Sequence, residues 1–101
     1  MYGIVTLDVA RAYMRVGSET TDTALLLMID AATALVQGYL GYPILKPAGA
    51  TDGWPTPNDV PASIIVAICI VALDIYDDRD TPLTEIEAVR ALAGSYRRHS
   101  F

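Results

Sequence analysis

The sequence predicts an all-α fold, a small bundle of about four helices with one long irregular loop and a short tail. Apolar residues recur at helical spacing in four separate segments. Capping residues and glycines punctuate those segments, and strand-like alternation is confined to residues 3–5 at most.

The first helix is expected over residues 6–16. Thr6 is a good N-cap, and Asp8 falls in the first turn, where the helix dipole favours an acid. Leu7, Ala10, Tyr13 and Met14 share one face, Asp8, Arg11 and Arg15 the other, and Gly17 with Ser18 should end the helix. A second helix is expected over 22–40, capped by Asp22 and terminated by Gly41. Between Thr23 and Leu40 the polar side chains are Thr23, Asp30, Thr33 and Gln37, which fall in one narrow stripe. The third helix, over 59–78, should be capped by Asn58 or Asp59, with Pro61 in its first turn. Ser63, Asp74, Asp77 and Asp78 again make a single polar stripe. Helices apolar over most of their circumference need neighbours on several sides. Leu35 and Ile68 are expected in or beside the core.

Residues 42–60 carry Pro43, Pro47, Gly49, Gly53, Pro55 and Pro57 and keep no periodicity. Loops of that length in a compact domain are usually functional or mobile. A fourth helix is expected over 84–93: Thr84 and Glu87 have capping-box spacing, Ile86, Val89, Leu92 and Ala93 form the inner face, and Gly94 ends it. Residues 95–101 read as a basic and aromatic tail.

A chain of 101 residues fits one domain, residues 1–101, with one core. Its hydrophobic content of 52% and mean hydropathy of +0.34 exceed what a monomer of this size should need. The surplus could serve a membrane, a tight core or a partner. The longest apolar run, Ile64 to Leu73, is about half of what a bilayer-spanning helix requires. The opening residues have neither a basic region nor an apolar block, so no signal peptide is expected and the reading is cytosolic. The single cysteine, Cys69, agrees: within an apolar helix it should behave as a small hydrophobe.

Charge is unevenly placed. Residues 17–89 carry eleven acids and two bases, Lys46 and Arg79, a balance of −9; residues 90–101 carry three arginines and no acid. A body so acidic repels phosphate backbones, which disfavours a conventional nucleic-acid-binding module. The catalytic inventory is thin. The only histidine, His99, lies in the tail, and Cys69 has no base nearby in sequence. No Ser–His–acid set and no glycine-rich phosphate loop can be assembled, so no enzyme activity and no cofactor is expected. Asp74, Asp77, Asp78 and Asp80 could hold a divalent cation, but they lack calcium-loop spacing. A solvated helix end partly neutralised by Arg79 is the preferred reading, and no metal is assigned.

Trp54 divides evenly between folding back on its own core and anchoring an interface. Tyr39, Tyr42 and Tyr76 read as core or subunit-contact residues. The run Tyr96-Arg97-Arg98-His99 could touch nucleic acid, but docking on another protein is preferred. Tyr42, Trp54, Asp77, Asp78 and Arg79 are the candidate contacts with neighbouring subunits or a further partner protein.

The order of segments also resembles a known family. Thr6-Leu7-Asp8-Val9-Ala10-Arg11-Ala12-Tyr13-Met14-Arg15-Val16 is similar to the opening helix of the tailed-phage head–tail connector (head-completion adaptor) family. Tyr39-Leu40-Gly41-Tyr42-Pro43 resembles the end of that family's second helix. Val60-Pro61-Ala62-Ser63-Ile64 and Leu73-Asp74-Ile75-Tyr76-Asp77-Asp78-Arg79 resemble the start and end of its third. Tyr96-Arg97-Arg98 resembles its closing motif, and Asp80 stands where members often carry Glu.

The resemblance implies a ring of about twelve copies bound under the portal protein of a phage-type capsid. Such a ring extends the DNA channel and offers a platform for the next neck or tail protein, a stopper or terminator. It sits at the virion neck after assembly in the bacterial cytoplasm, and a phage-like gene transfer particle would use the same part. By the same resemblance the tail residues Tyr96, Arg97, Arg98, His99 and Phe101 dock on the portal. DNA passes through without specific binding, as suits an acidic wall, and no membrane is involved. The alternative is a small helical regulator or antitoxin-like module that uses its apolar faces to dimerise.

Overall fold

A computed structural model of the chain describes residues 4–17, 20–46, 49, 53–77 and 86–96. Four helices follow one another: α1 (Leu7–Met14), α2 (Asp22–Leu40), α3 (Ala62–Tyr76) and α4 (Glu87–Ala93). Short 3-10 turns occupy Pro57–Asp59 and Gly94–Tyr96. The described residues form no strand, only an isolated parallel bridge between Leu45 and Trp54. The fold is all-α.

Capping chemistry sets most of the boundaries. The Thr6 hydroxyl accepts from the Val9 backbone N–H at 3.2 Å and starts α1. That helix stops at Met14, two residues short of the expected end. Arg15 adopts the left-handed conformation (φ 56°), and its N–H donates to the Arg11 carbonyl, closing the helix before Gly17 is reached. The cap of α2 is Thr21 rather than Asp22. The Thr21 hydroxyl accepts from Ala24 N–H at 3.1 Å, which leaves the Asp22 carboxylate for Arg11. Gly41 ends α2 in the left-handed region, as expected.

Neither Asn58 nor Asp59 caps α3. Both lie in the 3-10 turn, where Asp59 accepts from the Thr56 hydroxyl at 2.8 Å. A proline pushes the residue before it into extended backbone, and Val60 is extended (φ −68°, ψ 126°). Helix α3 therefore starts only after Pro61, whose carbonyl accepts from Ile64 and Ile65. Helix α4 starts at Glu87, three residues later than expected, because Ile86 is extended; the Thr84 end of the expected capping box lies outside the described residues. Gly94 caps α4 in right-handed conformation and passes the chain into the following 3-10 turn instead of breaking it.

Helix α3 is the hub, packing against α2 and α4, while α1 touches both α2 and α3. Ile64, Ala67, Ile68, Val71 and Ala72 of α3 meet Leu25, Ile29, Ala32, Val36 and Leu40 of α2, with Ala10, Met14, Ile44, Val89 and Ala93 around them. Each large aliphatic side chain here contributes about 1.5–3 kcal/mol by leaving water. Burial pushes the Cys69 thiol above its ordinary pKa, so it stays protonated at neutral pH.

Helix α2 turns only Thr23 of its polar stripe fully to solvent. Thr33 is fully buried and donates its hydroxyl to the Ile29 carbonyl at 2.8 Å. The Gln37 side-chain oxygen accepts from Ile44 N–H at 3.0 Å, holding the chain just past the helix. Asp30 is half-buried. The face that meets water is instead Ala24, Leu27, Ala31, Ala34, Leu35 and Gly38. Leu35, expected in or beside the core, is 49% exposed and Leu27 66%. At about 100° per residue the stripe lies on the flank, between the buried Leu25–Ile29–Val36 face and an outer face without charge. By length and composition alone α2 could cross a membrane, but a third of it is buried inside the fold.

Arg11 ties α1 to α2. Its guanidinium donates to the Gly17 carbonyl at 3.0 Å, the Thr20 carbonyl at 2.9 Å and the Asp22 carboxylate at 2.7 Å. The Asp22 side chain is 70% exposed, so the ion pair itself adds little. The two carbonyls, which require the planar fork, carry the clamp. Arg11→Lys is expected to cost about 1–2 kcal/mol. A urea denaturation midpoint equal to the parent's would assign the clamp no energetic role.

Candidate assembly interface

The irregular loop after α2 is pinned at its two ends. Trp54 N–H donates to the Ile44 carbonyl at 2.7 Å, and Lys46 N–H donates to the Trp54 carbonyl at 3.0 Å. Gly53 makes the approach possible: at φ 100°, a Cβ there would sit 2.5 Å from the Pro43 carbonyl oxygen. Trp54 is thereby set beside Tyr42, ring centroids 6.3 Å apart.

The 3-10 turn after α4 lands on this pair. Tyr96 meets Trp54 edge to face, centroids 5.5 Å apart and planes at 72°. The Tyr42 hydroxyl donates to the Tyr96 carbonyl at 2.7 Å. Of the two readings of Trp54, the fold shows the first: it folds back on its own chain, half-buried beside Tyr42 and Tyr96. Sequence reasoning named all three aromatics but did not join them, because Tyr42 and Tyr96 are separated by 54 positions and only the fold brings them together.

The other expected site residues are placed less closely. Asp77 is exposed just past α3, about a turn from the half-buried Asp74. Asp78, Arg79, Arg97, Arg98, His99 and Phe101 lie outside the described residues. Among the described residues no group of three or more His, Cys, Asp or Glu side chains gathers where a metal ion could be held.

Two surfaces escaped the sequence reading. One is the uncharged outer face of α2. The periodicity showed the apolar breadth of this helix, which called for neighbours on several sides, but not which part of it faces outward. The other is a groove of about 390 Å³ between the start of α1 and the start of α3, lined by Val5, Val9, Val60 and Ile65 with Thr6 and Asn58. Val9 is 45% exposed at its rim. The described surface thus groups aromatics at Tyr42, Trp54 and Tyr96 and aliphatics on the outer side of α2 and at the groove.

No curated protein and no solved structure matches the chain. Residues 4–100, which span all four helices, the aromatic cluster and nearly all of the tail, match the phage gp6-like head-tail connector protein family, and the chain belongs to that family.

Proposed function

We propose that the chain is a structural adaptor, without catalytic activity, that closes into a ring of about a dozen copies under the portal and joins the capsid to the neck. The family match over residues 4–100 is the observation that carries this reading. Membership sets the chain among structural components of the phage head–tail junction. The ring, the portal as its upper partner and a neck or tail protein as its lower one are the finer parts of the proposal. So is assembly in the bacterial cytoplasm, before the particle is complete.

The apolar outer face of α2 supports it. A monomer gains nothing from exposing Leu27 and Leu35 two turns apart on one uncharged face, whereas an assembly covers them. The aromatic cluster supports a docking role for the tail. Tyr96 is clasped by Tyr42 and Trp54, so Arg97, Arg98, His99 and Phe101 follow from a fixed root. We assign those residues to the portal, and Asp77, Asp78 and Arg79 to a neighbouring subunit or neck protein. Such contacts use aromatic anchors and the arginine fork against carboxylates or carbonyls.

The isolated chain is expected to be a monomer or to associate weakly, because its acidic body is self-repelling at low ionic strength. Rings should form when portal is added. Light scattering with and without portal tests this: a tight dimer that ignores the portal would favour the regulator reading.

A further inference from the structure

The adaptor reading leaves open which surfaces of neighbouring copies meet. We propose that the outer face of α2 in one copy packs into the groove between the starts of α1 and α3 in the next. The occupant of each surface is thus a second copy of this chain, and the inference rests on the adaptor reading.

The two surfaces match in character. The outer face of α2 presents Leu27 and Leu35 as projecting side chains, with Ala31 and Ala34 between them and Ala24 and Gly38 beyond, all small enough to keep the helix backbone accessible. The groove exposes Val9 and part of Ile65 above a floor of buried Val5 and Val60, and none of its described lining residues is charged. Each surface would desolvate no ion on being covered, in a chain where 19% of residues are charged. A charged partner such as DNA finds no complement on either.

They also differ in position, with no residue in common. Helix α2 turns its inner side to α1 and α3, so its outer face looks away from the elements that form the groove. A contact between two different patches is heterologous and, when the rotation closes, makes a ring. The area argues the same way. Two partly exposed leucines among small residues offer a few hundred Å² at most, short of the roughly 800 Å² per partner of a stable pair. An α2-to-α2 dimer would use that face alone. A closed ring lets every copy bury both the face and the groove.

Cysteine cross-linking tests the contact. Native Cys69 needs no replacement, because it is 2% exposed and serves as the unreactive background. Leu27 and Val9 are exposed, so L27C and V9C leave the core untouched. The double variant L27C/V9C, treated with a short bis-maleimide in the presence of portal, is expected to give a ladder from dimers upward. Each single variant should stay at the mass of one chain. The variant Leu27→Arg, with an unchanged circular dichroism melt, should lose assembly on the portal at least tenfold. Efficient dimers from L27C alone would overturn the proposal in favour of an α2-to-α2 pair. Portal-bound copies of the double variant that give no ladder would overturn the contact and leave the adaptor reading standing. A ladder formed by a chain that never binds portal would uphold the contact and remove the adaptor reading.

Discussion

Truncation after Tyr96, removing Arg97 to Phe101, is expected to leave the helical fold intact, to abolish binding to the portal, and to yield DNA-filled heads without tails. The cut position follows from the aromatic cluster. Removing residues from Ser95 onward would also delete Tyr96, with its edge-to-face contact to Trp54 and the hydrogen bond from Tyr42, and would mix lost stability with lost docking. Truncation after Tyr96 preserves both. Within the removed segment, Arg97→Glu with Arg98→Glu should weaken docking in a salt-sensitive way, because charge pairs at a rim are screened. Phe101→Ala should weaken docking with no such dependence. Completion of particles in cells, with portal pull-down at two salt concentrations, reads all three. If the truncated chain completes particles at the parent's rate, docking lies elsewhere, and the loop around Trp54 becomes the first place to look.

The second large effect separates two aliphatic residues that sequence reasoning put together. Ile68→Ala is expected to cost about 2–5 kcal/mol, since Ile68 is fully enclosed between α2 and its own helix's neighbours. At about 4–8 °C per kcal/mol for a domain near this size, the melting temperature should fall by at least about 8 °C. Leu35→Ala should stay within about 0.5 kcal/mol in the isolated chain, because Leu35 stands half in water and alanine is the better helix former. The same substitution should nevertheless impair assembly. A thermal melt of both variants decides: equal losses would mean that α2 presents another face to α3.

Those two residues show where sequence reasoning was sufficient. The order of helices, the cap at Thr6 and the stop at Gly41 were legible because each depends on local chemistry, a hydroxyl at the right offset or a glycine in a left-handed turn. The orientation of α2 was not. Thr33 satisfies its hydroxyl on the Ile29 carbonyl and Gln37 serves the Ile44 backbone, so two members of the polar stripe need no water. Once polar groups are satisfied inside the fold, a polar stripe no longer marks the solvent side. The start of α3 was obscured in a similar way: Asn58 and Asp59 are good caps by type, but Pro61 forces Val60 to extend and moves the start past them. Of the candidate site, the aromatic residues were legible one by one. Their union was not, since it depends on the 3-10 turn after α4 and on the close approach at Gly53.

That close approach has a practical consequence. The hydrogen bonds of Trp54 with Ile44 and Lys46 hold residues 46 and 54 together whatever the length of chain between them. Closure entropy grows only slowly with length, about 0.6 kcal/mol for each doubling. A short epitope or a gold-binding tag inserted between Ala50 and Thr51 would therefore leave the Trp54 seat in place. Seen by electron microscopy on assembled particles, such a label would mark which edge of the connector faces the capsid and which faces the tail.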